Sequence, residues 1–480
     1  METEFGCLVA DESLGDSETM VDAIKNHVFC SQRLGAIDLH ARDEVFEPSR
    51  SGGFLLNGGR LYVDAVGSHL EYATAECTRL KDLVANDRAG QRIIVQAIRD
   101  LGLSEEVKVY NNSVDHFGGH TFGCHENYLS LIDDEFFSSG VNRLLPFLIT
   151  RQIFAGVGRV GGHILTTDGA RPSHEDVMSH PVDYIWVSQV YRAIPDPNVR
   201  FQISQRADHI LKPVASRVRF NRAIINPKWE HFYSHERLQR LHMLFGESNQ
   251  NEFAYALKMG TTSLVLRLIE EELVPQEWVL AQPMIALRRI SRDEAYAWPV
   301  EWATGAPTDA ISIQRGYLEL AERYRGDGED TDWVLDEWAK TLDGLAEDPM
   351  QLADRLDWVA KKQMVESYMA EMDLAWDDDS LHSVDLEYHN IDPEESLFHA
   401  LQDMGQTTRI VDELDIIDSQ TVPPQNTRAK GRSILVEKIL KRKGNTPYAI
   451  DWNGVAFQRH LFIPLDDPYR TYEAEANTVP

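Results

Sequence analysis

The stretch NGGRLYVDAVGSHLEYATAEC, Asn57 to Cys77, sets two polar series inside short apolar runs. From Phe54 to Asp64 apolar runs flank Asn57-Gly58, a dipeptide that tolerates positive φ and is the strongest short-range hairpin signal. Arg60 to Asp64 is therefore expected on a strand. Side chains alternate between the two faces of a strand, so Arg60, Tyr62 and Asp64 share one face and Leu61 and Val63 the other. One apolar face and one face of Arg, Tyr and Asp suits the floor of a catalytic cleft, and equally an exposed sheet face. Glu71, Thr74 and Glu76 extend the polar series through EYATAEC.

Outward from this stretch, the N-terminus reads METEFG, in which Glu2 and Glu4 alternate and would project from one face of a strand. Paired carboxylates suit a hard divalent cation such as magnesium, which takes oxygen ligands and shares them with nucleotide phosphates; a solvated acidic surface gives the same pattern. His125-Glu126 offers a metal ligand or a general base, against the alternative of a satisfied structural histidine. Arg206 in SQRA and Arg428 in NTR could clamp a phosphate, because a guanidinium binds its oxygens bidentately, or could form surface salt bridges. No G-x-x-x-x-G-K-[ST] loop occurs, and GVGRVGG (Gly156 to Gly162) follows an apolar segment rather than opening a helix, so it reads as a loop.

The 480 residues carry Lys+Arg 47 against Asp+Glu 77, a formal charge of −30, which argues against a nucleic-acid partner. With 43% hydrophobic and 26% charged residues the chain can still bury a core. METEFG is no signal peptide, and the densest apolar runs, LLPFLIT and SLVLRLI, fall short of the roughly 20 residues of a membrane span. A soluble protein without a membrane partner is expected. Cys7, Cys30, Cys77 and Cys124 form no C-x-x-C pair, so neither a zinc site nor a disulfide framework is indicated, and a reducing cytoplasm is the simplest setting.

Helical periodicity predicts helices around Thr19–Val28, Lys81–Leu101, Phe253–Glu272 and Ile313–Arg325, with two or three more within Asp330–Met372. Glu106–Asn111 reads as a strand and Asp373–Asp379 as a solvated turn. Residues 161–200 look like an insertion, and Pro423-Pro424 marks a break ahead of a small C-terminal unit.

Nine segments in order resemble one family: METEFG, NGGRLYVDAVGSHLEYATAEC, GCHENYL, LPFLITRQ, ISQRADHI, RLHMLFGESNQNE, LKMGTTSLVL, VDLEYHNI and PPQNTRA. It is the family of ligases of the prokaryotic ubiquitin-like protein Pup, of the proteasome accessory factor A type, with their sister Pup deamidase/depupylases. The resemblance implies an α+β, glutamine-synthetase-like carboxylate-amine ligase fold. A curved antiparallel sheet packed with helices would occupy residues 1–404, with 161–200 as an insertion, and a small C-terminal domain residues 405–480. It implies ATP and Mg2+ on the concave face of the sheet, with Glu2, Tyr62 and Glu71 as magnesium ligands and Arg60, Thr74 and Trp452 as ATP contacts. Asp64 corresponds to the catalytic aspartate. Through their motifs Glu4 and His242 join the metal ligands and Arg206 and Arg428 the cofactor contacts, and His125 lies in a matching motif.

The implied reaction activates the side-chain carboxylate of the modifier's C-terminal Glu as an acyl phosphate. A substrate lysine, deprotonated or oriented by Asp64, attacks it to form an isopeptide bond. The partners implied are an acidic Pup-like modifier and lysine-bearing proteins. ETEFG, EYATAEC and GCHENYL resemble the ligase branch; EDPMQLADRLDW (Glu347 to Trp358) leans toward the depupylases, which would hydrolyse a terminal Gln amide or the isopeptide. A small-molecule carboxylate-amine ligase and a non-catalytic binding protein are further alternatives. After Ile224-Ile225-Asn226 the family's Thr-Arg-Asp-Glu-Pro-His is replaced by Pro227-Lys228-Trp229-Glu230-His231. An acidic modifier needs a locally basic groove, for which Arg217, Arg219, Arg222, Lys228 and the run from Lys430 to Lys443 are candidates. Because Glu2 would sit at a frayed strand end, either the natural chain begins upstream or Met1 itself pairs in the sheet.

Overall fold

The structure, a computed structural model, describes residues 1–38, 52–64, 69–132, 135–166, 192–215, 222–227, 238–442, 447–457 and 461–479. Lys228 to His231, Arg217, Arg219, Lys443 and residues 167–191 of the expected insertion lie outside the described residues.

The strands are β1 Glu2–Val9, β2 Gly35–Ile37, β3 Gly53–Leu55, β4 Arg60–Val63, β5 Leu70–Ala73, β6 Val107–Tyr110, β7 Cys124–Leu131, β8 Arg159–Val160, β9 His163–Thr166, β10 Arg192–Pro195, β11 Phe201–Gln202, β12 Lys212–Val214, β13 Ala223–Pro227, β14 Leu238–Met243, β15 Pro299–Glu301, β16 Pro307–Asp309, β17 Tyr448–Asp451, β18 Gly454–Phe457 and β19 Leu461–Pro464. Ten of them form one sheet in the order β12-β13-β14-β7-β1-β5-β4-β3-β2, with β6 paired to the far half of β1. The Asn57-Gly58 hairpin forms as expected: Phe54 pairs with Arg60, and Gly58 takes φ 82°, where a side chain would be strained. The expected antiparallel sheet is corrected at one edge, where β12 and β13 are parallel. Hydrophobic alternation says which face a residue takes but not which way a strand runs.

Helices cover one face of this sheet. Leu61, Val63, Leu70, Tyr72 and Phe5 turn inward against Ile93, Ile94 and Ala97 of the helix Leu80–Asp100. Gly90 makes that approach possible, since a Cβ there would stand 2.3 Å from the Tyr72 ring. Farther along, Ile225, Leu241 and Met243 pack on the helices Val141–Thr150 and Glu252–Glu270, with Ala310–Ala321, Glu329–Glu347 and Asp357–Met372 behind them. Within this core the Glu126 carboxylate is fully buried and takes both terminal nitrogens of Arg151, at 2.9 and 2.5 Å.

The C-terminal elements form a separate apolar cluster. Leu435 and Val436 of the helix Arg428–Lys441 join Ile450, Val455 and Phe457 against Ala36 and Phe54 of β2 and β3. The helices expected around Thr19, Lys81, Phe253 and Ile313 are present as Ser17–Asn26, Leu80–Asp100, Glu252–Glu270 and Ala310–Ala321. GVGRVGG, read as a loop, contains the short strand β8, which pairs with β11.

Candidate active site

The face of the sheet opposite the helices lines a cleft of ≈ 1810 Å³. Strand register decides what meets there. Glu4 lies opposite Glu71 and Glu71 opposite Tyr62, while Glu2 lies between Ala73 and His125, and Asn127 opposite His242. With period-two alternation, Glu2, Glu4, Arg60, Tyr62, Glu71, His125, Asn127, Arg240 and His242 all share the cleft face, and each lines the cleft. β1 therefore places its two glutamates in the middle of the sheet, where two neighbouring strands hold them.

Carboxylate oxygens of Glu4, Asp64 and Glu71 lie within 4.8 Å of one another. Burial raises the Glu71 carboxyl well above the usual range, and the like charges of Glu2, Glu4 and Asp64 push it further. Tyr62 is raised for a related reason, burial first and then the neighbouring Glu71 and Glu2 charges. Burial acts on Glu4 in the same sense but is outweighed by hydrogen bonds with His69 Nδ1 at 2.8 Å and His125 Nε2 at 3.3 Å, so its carboxyl lies well below the usual range. Glu2 is likewise opposed by burial, yet the charges of His242, Arg240 and His125 lower it to about 2. Arg240 Nη1 donates to Glu2 Oε1 at 2.8 Å and to Asn127 Oδ1 at 3.0 Å, and Asn127 also meets His242 Nδ1 at 2.9 Å. Three converging carboxylates, all hard oxygen donors, whose like charges leave Glu71 reluctant to ionise without a counter-charge, fit a divalent cation such as magnesium.

The other expected site residues fall around this cluster. Asp64 immediately follows β4, its backbone N–H donating to His69 O at 2.9 Å. Arg60 Nη2 donates to Asp38 Oδ2 at 3.1 Å, and the guanidinium lies 4.6 Å from the Tyr62 ring centre. The Trp452 ring meets Phe54 edge-on at 5.0 Å, and the Arg432 guanidinium lies 4.6 Å from its centre. Thr74 N donates to Met1 O at 2.9 Å and Thr74 Oγ1 accepts from the Met1 ammonium at 3.0 Å. Met1 O thus adds one hydrogen bond beyond the Glu2–Ala73 pair at which the β1–β5 ladder begins.

Two residues read as phosphate clamps are held by protein groups. Arg206 donates through its terminal nitrogens to Phe122 O at 2.7 Å and Leu244 O at 3.0 Å, while its buried Nε has no partner among the described residues. Arg428, placed at a helix start by its Thr427 cap, donates to Glu76 Oε1 at 2.6 Å and Leu465 O at 2.9 Å. Arg432 also pairs with Glu76. The sequence reading missed Asp38, His69, Asn127 and Arg240. Asn127 and Arg240 were within reach, because each lies two residues from a named residue on its strand, His125 on β7 and His242 on β14, and so shares its face.

The family model described as Pup-ligase protein matches residues 1–456. The chain belongs to the Pup-ligase family. Within it, the chain is 35% identical to a Pup–protein ligase of Kineococcus radiotolerans over 98% of this chain and 96% of that one. It is 36% identical to a depupylase of Acidothermus cellulolyticus, over 84% and 74% of the two chains. Among solved structures, the ligase PafA in complex with Pup superposes with a TM-score of 0.76 at 29% identity, covering 100% of this chain and 90% of that one. The Pup ligase PafA in complex with ADP gives 0.75 at 30% identity over 91% of both. The glutamine-synthetase-like architecture, a large mixed sheet packed with helices, is thus shared with PafA.

Proposed function

We propose that this member of the Pup-ligase family joins the side-chain carboxylate of a Pup-like modifier's C-terminal Glu to lysines of other proteins, with ATP as the activating co-substrate. The observation that carries this reading is the convergence of Glu4, Asp64 and Glu71 in a cleft whose chain matches a Pup–protein ligase almost end to end. A carboxylate has no adequate leaving group, and transfer of a phosphoryl group to it supplies one. Trp452 and Thr74 would hold the base and ribose of the nucleotide and Arg60 a phosphate, where its charge would offset what develops on the transferring group. Magnesium would be held by Glu4 and Glu71, with Tyr62, Glu2 and His242 around them, and would supply further charge neutralisation.

Asp64, at the strand end beside that cluster, accepts the proton of the attacking lysine, because only neutral lysine is a nucleophile. Arg240 and His242 hold Glu2 ionised, while His69 and His125 do so for Glu4. The small C-terminal domain, proposed to begin near residue 405, completes the nucleotide end of the cleft with Trp452. Work in the cytoplasm belongs to the same proposal and is supported by four unpaired cysteines. Among the described residues no helix is long and apolar enough to cross a membrane.

The test is intact mass spectrometry of the protein with ATP, Mg2+, a modifier ending in Glu or Gln, and a lysine-bearing acceptor. A joined species that needs both ATP and terminal Glu supports the ligase. The second reading, favoured by the 36% identity to a depupylase, is hydrolysis of a terminal Gln amide or of the isopeptide. Conversion of terminal Gln to Glu without net ATP consumption would select it.

A further inference from the structure

A second cavity of ≈ 200 Å³ shares no lining residue with the cleft and lies between β11, the turn that follows the helix Pro283–Ser291, and the helix Asp357–Met372. Its walls are aromatic. The ring centres of Tyr296 and Trp358 stand 5.5 Å apart, and those of Phe201 and Trp376 6.3 Å. Tyr296 is presented by an unfavourable backbone, since it and Trp298 take φ of 55° and 43°, a region that bulky side chains avoid. Asp293 holds the turn in that shape, its carboxylate accepting from Ala295 N at 3.1 Å and from Trp298 N at 2.5 Å.

Two lining residues each keep one polar atom unpaired. Gln202, 1% exposed, donates Nε2 to Asp208 Oδ2 at 3.0 Å, which fixes its amide and leaves Oε1 buried without a partner among the described residues. Arg292 commits its terminal nitrogens to Asp196, Asp208 and His163 O, and its buried Nε likewise has no partner. An orphan acceptor and an orphan donor on one cavity call for a ligand that brings the complement of each. The lining cations Arg200, Arg292 and Lys362 equal in number the lining carboxylates Asp293, Glu294 and Glu366, and Lys362 pairs with Glu366, so the wall selects a neutral ligand. Water would answer the two polar atoms but leave the rings uncovered. An aliphatic group would fill the space but leave both atoms orphaned. The volume lies below the roughly 300–1,000 Å³ of drug-sized sites, so what enters is a single ring system. We propose that this cavity binds a neutral, flat nitrogen heterocycle with a donor and an acceptor side by side on its edge, the base of a nucleoside, at a site separate from the catalytic cleft.

The test uses the full chain with ATP and Mg2+ at saturation and four probes, adenosine, guanosine, cytidine and uridine, with the hydrocarbon indene as a control of similar shape that lacks the polar edge. Hydrogen exchange read by mass spectrometry should show protection of residues 291–298 and 358–376 by at least one nucleoside, and none by indene. Isothermal titration with that nucleoside should be weakened about 10- to 100-fold by Trp376→Ala, the range of one base-on-aromatic stack, with the KM for ATP unchanged, and Trp376→Phe should restore part of the affinity. If Trp376→Ala does not fold, Trp376→Leu carries the same expectation. Absence of protection by all four nucleosides up to roughly 1 mM would leave the cavity to water and overturn the inference. Equal protection by indene would make it an apolar pocket with no use for the two polar atoms, and overturn it too. Binding that Trp376→Ala leaves within twofold of wild type, or protection confined to the Trp452 end of the cleft, would place the nucleoside elsewhere and overturn it as well.

Discussion

Replacing Glu76 by Gln should loosen the C-terminal unit and, through it, the nucleotide end of the cleft. Glu76 follows β5, and its carboxylate receives Arg428 Nε at 2.6 Å and the guanidinium of Arg432, both buried. Burial alone would raise its carboxyl, but the charges and hydrogen bonds of Arg432 and Arg428 outweigh that and lower it from 4.5 to about 2. At ~1.36 kcal/mol per pH unit, that fall corresponds to about 3 kcal/mol, the low end of what breaking a buried ion pair costs. The folded-state pKa is depressed, so this stability is fully present above pH ~4.5 and is lost as pH falls through about 2.

Hydrogen exchange read by mass spectrometry over the helix Arg428–Lys441 and β17–β18 should show opening about a hundredfold more frequent in Glu76→Gln at pH 7. Because Arg432 also faces the Trp452 ring, the KM for ATP should rise more than kcat falls. Protection within threefold of wild type at pH 7 would refute the reasoning. So would a deficit that persists undiminished near pH 2.

Asp64→Asn should lower joining by at least about a hundredfold, the usual scale for loss of a general base, with little change in urea midpoint. Retained activity would remove Asp64 from that role. Glu126→Gln leaves the fully buried Arg151 without its counter-charge and should cost about 3–5 kcal/mol by urea unfolding, with no pH dependence of its own between 5 and 8. Since Glu71 has its carboxyl raised, protons compete with a cation there, so Mg2+ affinity by isothermal titration should weaken as pH falls. Glu71→Gln should abolish both the affinity and that pH dependence.

Much of this arrangement was legible in the chain because its causes are local. Asn57-Gly58 turns the chain within four residues, and alternation then sends Arg60, Tyr62 and Asp64 to one face whatever lies alongside. The long amphipathic helices were readable on the same ground, and the ordered motifs carried the family. Arg428 and Arg206 show the limit: both read as phosphate clamps, and the fold ties one to Glu76 and the other to two backbone carbonyls. Nothing near either residue in sequence names those partners.

By itself the sequence determined the face each strand residue takes, the positions of the turns and helices, and membership of the Pup-ligase family. Only the tertiary structure decided which faces adjoin. Glu4 meets Glu71, His69 and His125 across three strands drawn from residues 2 to 131, and β12 runs parallel to β13. Register between distant strands is set by long-range packing rather than by local propensity. The same alternating glutamates would have served a solvated sheet face had β1 lain at an edge. Placed in the middle of the sheet between β5 and β7, they are half-buried, charged and surrounded by histidines, which is what makes them chemistry.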